Sequence, residues 1–267
     1  MARVDLPESR LRLRKRRRFF RLGILFAVLF LLVVSGVVGL TYLPALQITT
    51  VAVSGAQTLS SSTVEAFVRE RLAGSYWWVL PKSNIFLYPK ARISSDLLSA
   101  YPLLASADVH AADFHTVEVS LTERQPRALW CSGSCYFLDE SGVIYGEAPA
   151  FSEPVYTVYT STTTGSTLPR QFLPPAGFQA LASLVDAIVR KLPGETLVAV
   201  SVTADNDIHM SFADGFVIRF ALGDQGGDTF ERLGLALGAE PFVSHKLAEF
   251  EYLDLRFGDK LYYKLRD

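Results

Sequence analysis

The most reactive side chains in this chain are two cysteines, Cys131 and Cys135, set in Cys-Ser-Gly-Ser-Cys. That spacing suits a tight turn between two strand ends, where the pair stands either as a disulfide or as two free thiols. An oxidising compartment permits the bond. One pair at this spacing, without a nearby histidine, is too small a donor set for zinc. The histidines, His110, His115, His209 and His245, form neither H-x-x-x-H nor H-E-x-x-H. No nucleophile elbow, phosphate-binding loop or dinucleotide fingerprint is present. The acidic residues are scattered toward the ends of predicted elements. The pattern predicts no catalytic residue, no metal ligand and no cofactor.

The remaining chemistry is that of recognition. Glu123-Arg124-Gln125-Pro126 follows an alternating run. Glu123 and Arg124 read either as an exposed ion pair of small value or as a junction in which Arg124 bonds carboxylates or carbonyls; the junction role is favoured over partner contact. Asp139 reads as a turn former through its side chain. Trp77 and Trp78 have three readings: the core of a short hairpin, an exposed recognition patch, or an interfacial anchor at a membrane. Near the end of the chain, alternation puts Leu253, Leu255 and Phe257 on one strand face and Asp254 and Arg256 on the other. The next strand places Leu261 and Tyr263 opposite Lys260, Tyr262 and Lys264. A two-residue Gly258-Asp259 turn would pair Leu255 with Tyr262 and mix the faces. A three-residue connection, Phe257–Asp259, keeps them separate and is the expected geometry. Lys260–Leu265 is expected to be an edge strand. Lysines protect such an edge, and the same edge can accept an added strand from a partner. Tyr252, Asp254, Arg256, Lys260, Tyr262 and Lys264 are the candidate partner-binding residues.

These residues are placed by an N-terminal membrane signal. Residues 22–43 carry no charge and follow a run of arginines and lysine between Arg10 and Arg18. About 20 apolar residues cross a bilayer core as a helix, and the basic flank stays in the cytoplasm. Residues 1–21 carry nine Lys/Arg against two Asp/Glu, and the rest of the chain 17 against 25. A cleaved signal peptide has a shorter apolar region and a small-x-small site. Here the stretch ends in Tyr42-Leu43-Pro44, which favours an uncleaved anchor. Beside such a span, the basic run reads as a topology signal and anionic-lipid contact rather than a nucleic-acid site.

Beyond the span the fold class reads as α+β. Gln47–Val53 is a strand pattern, and Ser62-x-x-Glu65 reads as a capping box. Val64, Phe67, Val68 and Leu72 then recur at helical spacing, with Gly74 placed to stop the helix. A loop with Trp77, Trp78 and Pro81 precedes a helix over 93–100 and strands over 105–111 and 116–122. The order β-α-α-β-β predicts two helices on one face of a three-stranded sheet. Residues 125–267 read as β-rich. Short strands are expected at 128–130, 136–138, 143–145, 155–159, 197–203, 208–212, 216–222, 249–257 and 260–265. Helices are expected at 178–192 and from an Asp228-x-x-Glu231 cap to Leu237. A Ser/Thr/Gly/Pro-rich surface loop is expected over 161–175.

Several of these residues together resemble the FtsQ/DivIB family of bacterial cell-division proteins. The resemblance lies in Val51-x-Val53-x-Gly55, Asn84-Ile85-Phe86, Tyr101-Pro102, Val117-x-Val119-x-Leu121-x-Glu123-Arg124-x-Pro126 and Phe137-Leu138-Asp139-x-x-Gly142-Val143-Ile144-Tyr145. At the end it includes Leu253-Asp254-Leu255-Arg256-Phe257 with Lys260-Leu261-Tyr262-Tyr263-Lys264. The resemblance implies a cytoplasmic tail (1–21), a transmembrane helix (22–43), a POTRA domain (46–124) and a β domain (125–267) with two or three helices and a partner-binding terminal hairpin. It implies a non-enzymatic divisome scaffold in the cell inner membrane, concentrated at the septum. The implied partners are small bitopic proteins of FtsB/DivIC and FtsL type and the septal peptidoglycan synthase pair FtsW and FtsI, with no nucleic acid. The Trp77-Trp78 pair, the cysteine turn and the Thr-rich loop at 160–167 depart from the family pattern. A POTRA-type envelope chaperone and a membrane-anchored cell-wall hydrolase are the alternative readings.

The topology has a direct test. A reporter fused after Asp267 is expected to be active only outside the cytoplasm, because the basic flank orients the span. Activity of that fusion in the cytoplasm would overturn the orientation.

Overall fold

The computed structural model describes residues 10–161, 167–223, 226–258 and 260–266. It is an α+β chain with one N-terminal apolar helix and two compact units. One unit comprises Met1–Ala100 with Ser106–Glu123, the other Tyr101–Ala105 with Arg124–Asp267. Helix α1 (Arg10–Thr41) contains Phe19–Thr41, 23 residues long and apolar enough to cross a membrane. At the helical rise this segment is about 35 Å long, slightly more than a hydrocarbon core.

In the first unit, β1 (Thr50–Ser54) is followed by α2 (Ser61–Leu72), then β2 (Ser75–Tyr76) and β3 (Leu80–Pro81), α3 (Lys90–Ala100), β4 (Leu104–Ala111) and β5 (Thr116–Glu123). The three long strands form one sheet in the order β1-β5-β4, with β1 parallel to β5. Strand β5 buries Val117, Val119 and Leu121, its alternate residues. Val64, Val68 and Leu72 of α2 and Ile93 and Leu97 of α3 are buried with them. One buried sheet face under two helices is the economical arrangement for so short a unit.

The expected capping box is displaced by two residues. Ser60, not Ser62, caps α2, its hydroxyl accepting from the Thr63 amide. The stop is where the glycine predicts it: Gly74 lies just beyond the helix with φ +85°, a region an L side chain disfavours. Helix α3 starts three residues before the expected 93, directly after Pro89, whose ring suits the entry to a helix. The segment read as a loop carries β2 and β3, a two-stranded ribbon separate from the main sheet.

The carboxylate of Glu123 organises the start of α2. It is 7% exposed and accepts hydrogen bonds from the amides of Gln57, Thr58 and Leu59 at 2.8–3.0 Å. It therefore does not stand in an exposed pair with Arg124. Burial by itself raises its pKa, but the bonds from Leu59, Gln57 and Thr58 together outweigh that and hold it at about 2.

The second unit holds β6 (Ala128–Ser132), β7 (Ser134–Leu138), β8 (Val143–Glu147), β9 (Val158–Ser161), β10 (Arg170–Gln171), α4 (Pro175–Lys191), β11 (Leu197–Val202), β12 (Asp207–Phe212), β13 (Val217–Ala221), α5 (Gly226–Leu237), β14 (Phe250–Phe257) and β15 (Lys260–Leu265). All ten strands join one sheet in the order β10-β8-β7-β6-β9-β11-β12-β13-β14-β15. The core lies where Phe178, Leu181, Val185 and Ile188 of α4 and Leu233 of α5 meet one face of this sheet, through Tyr159, Val200, Met210, Ile218, Phe220 and Leu253. Helix α5 begins two residues before Asp228, which therefore lies in its first turn rather than at its cap. Most of the Thr-rich loop, 162–166, lies outside the described residues, as does Asp259 of the expected turn.

Replacing Glu123 by Ala is expected to weaken the first unit by about 2–3 kcal/mol, the scale for hydrogen bonds onto a buried charge. The protection of α2 amides from hydrogen exchange reads this loss. Because the folded pKa is depressed, the contribution is complete above pH 4.5 and is lost as pH falls toward about 2. Unchanged protection in the variant would mean that Glu123 does not hold the helix start.

Candidate functional site

The terminal hairpin is held by a buried acid. Asp254, 3% exposed, lies on β14, and Arg256 on the same strand donates to it from its backbone N–H, Nε and Nη2. The Nη1 of Arg256 also bonds Asp207 at the start of β12. Burial alone raises the Asp254 pKa, but the Arg256 bonds and charge outweigh it and keep the carboxyl below its ordinary range. Asp254 therefore does not reach the surface as a contact residue. Together with Arg256, it belongs to the hairpin's internal framework.

The register follows from this pair. Asp254 lies opposite Tyr262 and Leu253 opposite Tyr263, which keeps polar and apolar faces apart. At the turn, however, Phe257 pairs with Lys260, so the expected three-residue connection is corrected. The register shifts between Asp254 and Phe257: three residue steps on β14 stand against two on β15. This is a bulge, and it reconciles the short connection with separate faces. The Arg256 N–H turns to the Asp254 side chain within the shifted stretch.

The polar face continues across the sheet. His209, Arg219, Asp254 and Tyr262 are successive cross-strand partners on β12, β13, β14 and β15. The Arg219 guanidinium lies over the Tyr252 ring, 4.2 Å from its centre. Burial, then the charges of Arg219 and Arg256, push the His209 pKa down.

Strand β15 is an edge of the ten-stranded sheet. Lys260, Tyr262 and Lys264 are exposed along it, and Lys264 pairs with Glu251 at 2.5 Å. The opposite face of β15 presents Tyr263, whose ring meets Phe242 and Phe250 edge-on. Beside the edge is a cleft of about 380 Å³ lined by Leu235, Ala236, Phe242, Leu255, Lys260 and Leu261. Sequence reasoning missed Leu235 and Phe242. A leucine on the outer side of an amphipathic helix, here 69% exposed, was the available signal.

The other candidates lie apart from this edge. Arg124 pairs with Asp139 and donates from Nε to the Pro102 carbonyl at 3.3 Å. Asp139 also accepts from the amides of Ser141 and Val143, closing its turn. Pro126 lies in the short segment between β5 and β6. Cys131 and Cys135 face each other at the end of the β6–β7 hairpin and are disulfide-bonded. Among the described residues no cluster of three His, Cys, Asp or Glu converges to hold a metal.

Among the described residues, one helix is long and apolar enough to be a membrane anchor, and two α+β units make up the folded remainder. No family model matches it. Among curated proteins it is similar to "Cell division protein FtsQ" of Geobacter sp. (strain M21), 25% identical over 175 residues. The match covers 62% of this chain and 61% of that relative, less than two thirds of either. Similarity of this extent suggests an FtsQ-like protein with a role in cell division, and one N-terminal apolar helix fits a transmembrane anchor.

Arg256→Ala would leave Asp254 buried without its counter-charge. A loss of about 3 kcal/mol is expected, at the lower end for a broken buried pair because Arg256 keeps some contact with water. Urea unfolding of the chain measures it. A loss no larger than that of an exposed-lysine variant would remove this pair from the framework.

Proposed function

We infer that this chain is a non-enzymatic, single-pass scaffold of the bacterial division machinery, of FtsQ/DivIB type. Its N-terminus lies in the cytoplasm, and the folded parts of both units beyond α1 lie outside, at the septum. The first unit acts as a POTRA domain, and the second docks a small bitopic partner of FtsB/DivIC type, with FtsL, and through them the FtsW/FtsI synthase pair. The observation that carries the docking reading is the free edge of β15 beside an apolar cleft. An added strand gains backbone hydrogen bonds from such an edge and side-chain specificity from the adjacent pocket.

Lys260, Tyr262 and Lys264 are the side chains that meet the partner on one face of the added strand. Tyr252 contributes beside them, opposite Lys264 on β14. Asp254 and Arg256 act indirectly, by holding the hairpin register.

Reversing the charges of Lys260 and Lys264 together is expected to weaken partner affinity by tenfold or so, about 1.4 kcal/mol. The fold should survive, because exposed charges contribute little to stability. Pro at Tyr262 is expected to be worse, since it removes a backbone donor. The measurements are partner affinity and melting temperature. Full affinity in an intact lysine variant would place the docking surface elsewhere.

A further inference from the structure

Trp77 and Trp78 are the most exposed large apolar side chains in the described part of the folded units, at 84% and 95%. They sit at the tip of the β2–β3 ribbon, both with positive φ, 47° and 60°. The Val79 amide closes this turn on the Tyr76 carbonyl at 3.0 Å. Asn and Gly favour such a conformation because an L side chain is strained in it. The chain thus holds two large rings in water on a strained turn, and neither burial nor backbone preference within the unit accounts for them.

Their position supplies the reason. The Val79 carbonyl accepts a hydrogen bond from the Tyr42 hydroxyl at 2.7 Å, and Tyr42 immediately follows α1. Asn84, 1% exposed, donates to the carbonyl of Thr41, the last residue of α1, at 2.9 Å, and Gln47 donates to the same oxygen at 2.6 Å. The ribbon is therefore tied to the point where the membrane-length helix ends. Two more exposed rings, Phe86 and Phe114, meet edge-on at 6.4 Å. Phe86 is two residues from Asn84, and its amide donates to the Asn84 side chain. Phe114 adjoins His115, whose carbonyl accepts from the amides of Thr49 and Thr50 at the start of β1. Asp113 beside it turns its carboxylate to the amides of His115 and Thr116.

We propose that Trp77, Trp78, Phe86 and Phe114 form an aromatic foot that inserts into the outer lipid interface beside α1 and fixes the first unit against the membrane. The proposal rests on the reading of α1 as an inserted span. Tryptophan rings with one polar N–H are suited to the headgroup boundary. An exposed apolar patch adjoining a membrane-length helix has the lipid surface as its nearest apolar medium. Lys82, whose ammonium lies 5.8 Å from the Tyr76 ring centre, supplies a cation beside the patch for lipid phosphates.

The test is tryptophan quenching in the full chain, reconstituted in phosphatidylcholine vesicles carrying brominated acyl chains. Co-flotation with the vesicles and resistance to alkaline extraction check insertion of α1 separately. With the span inserted, bromines near the glycerol end of the chain are expected to quench emission more than bromines at the methyl end. The quenching should vanish in the W77F/W78F double variant, whose remaining tryptophan, Trp130, is buried in the second unit. Inserted protein whose emission is unquenched and stays that of tryptophan in water overturns the foot while leaving the span intact. Shielding that appears only when a partner protein is added overturns it in favour of a recognition patch. Failure to co-float overturns the span reading and the foot with it.

Discussion

A carboxylate cannot be buried alone, and Asp254 is buried. Its desolvation is offset chiefly because Arg256, two residues on and on the same strand face, wraps it with three donors while reaching Asp207. Much of the second unit's character follows. The shared hydrogen bonds draw β12 and β14 together across β13. The bulge beside the pair sets which residues of β15 face the core and which face water. With β15 fixed in that register, its outer edge pairs with no other strand among the described residues, and its lysines line the rim.

The same logic operates with opposite geometry in the first unit. Glu123 is also a buried acid, yet its counterparts are backbone amides ahead of α2 rather than an arginine. Its neighbour Arg124 serves the second unit, through Asp139 and the Pro102 carbonyl. Two adjacent residues of opposite charge thus do not pair with each other. Each satisfies the unit to which it belongs, because a specific buried partner is worth more than a screened neighbour in water.

On the proposed reading, this chain works through surfaces. The strand edge and its cleft lie in the second unit, and the aromatic rings lie in the first, near the end of α1. The two differ in chemistry: an edge offers directional backbone bonds to another chain, whereas exposed tryptophans offer apolar area and a polar tip to an interface.

The sequence alone determined the features that depend on local pattern. The uncharged run at 22–43 specified a helix of membrane length, alternation specified Thr116–Thr122 and Lys260–Leu265 as strands, and Gly74 specified a helix end. These are legible because period, charge and backbone freedom act over a few residues. The alternation of Asp254 and Arg256 was legible as well, but read as a surface face. The pair's setting depends on Asp207, which Arg256 reaches from 49 residues away in the chain, and on a parallel β13–β14 pairing that leaves no local signature. Only tertiary structure decided that ten short strands form one sheet, that the ribbon carrying Trp77 and Trp78 is tied to Tyr42, and that Leu235 and Phe242 line a cleft beside the free edge. Each is a contact between distant segments, and periodicity within a segment cannot encode which partner that segment will meet.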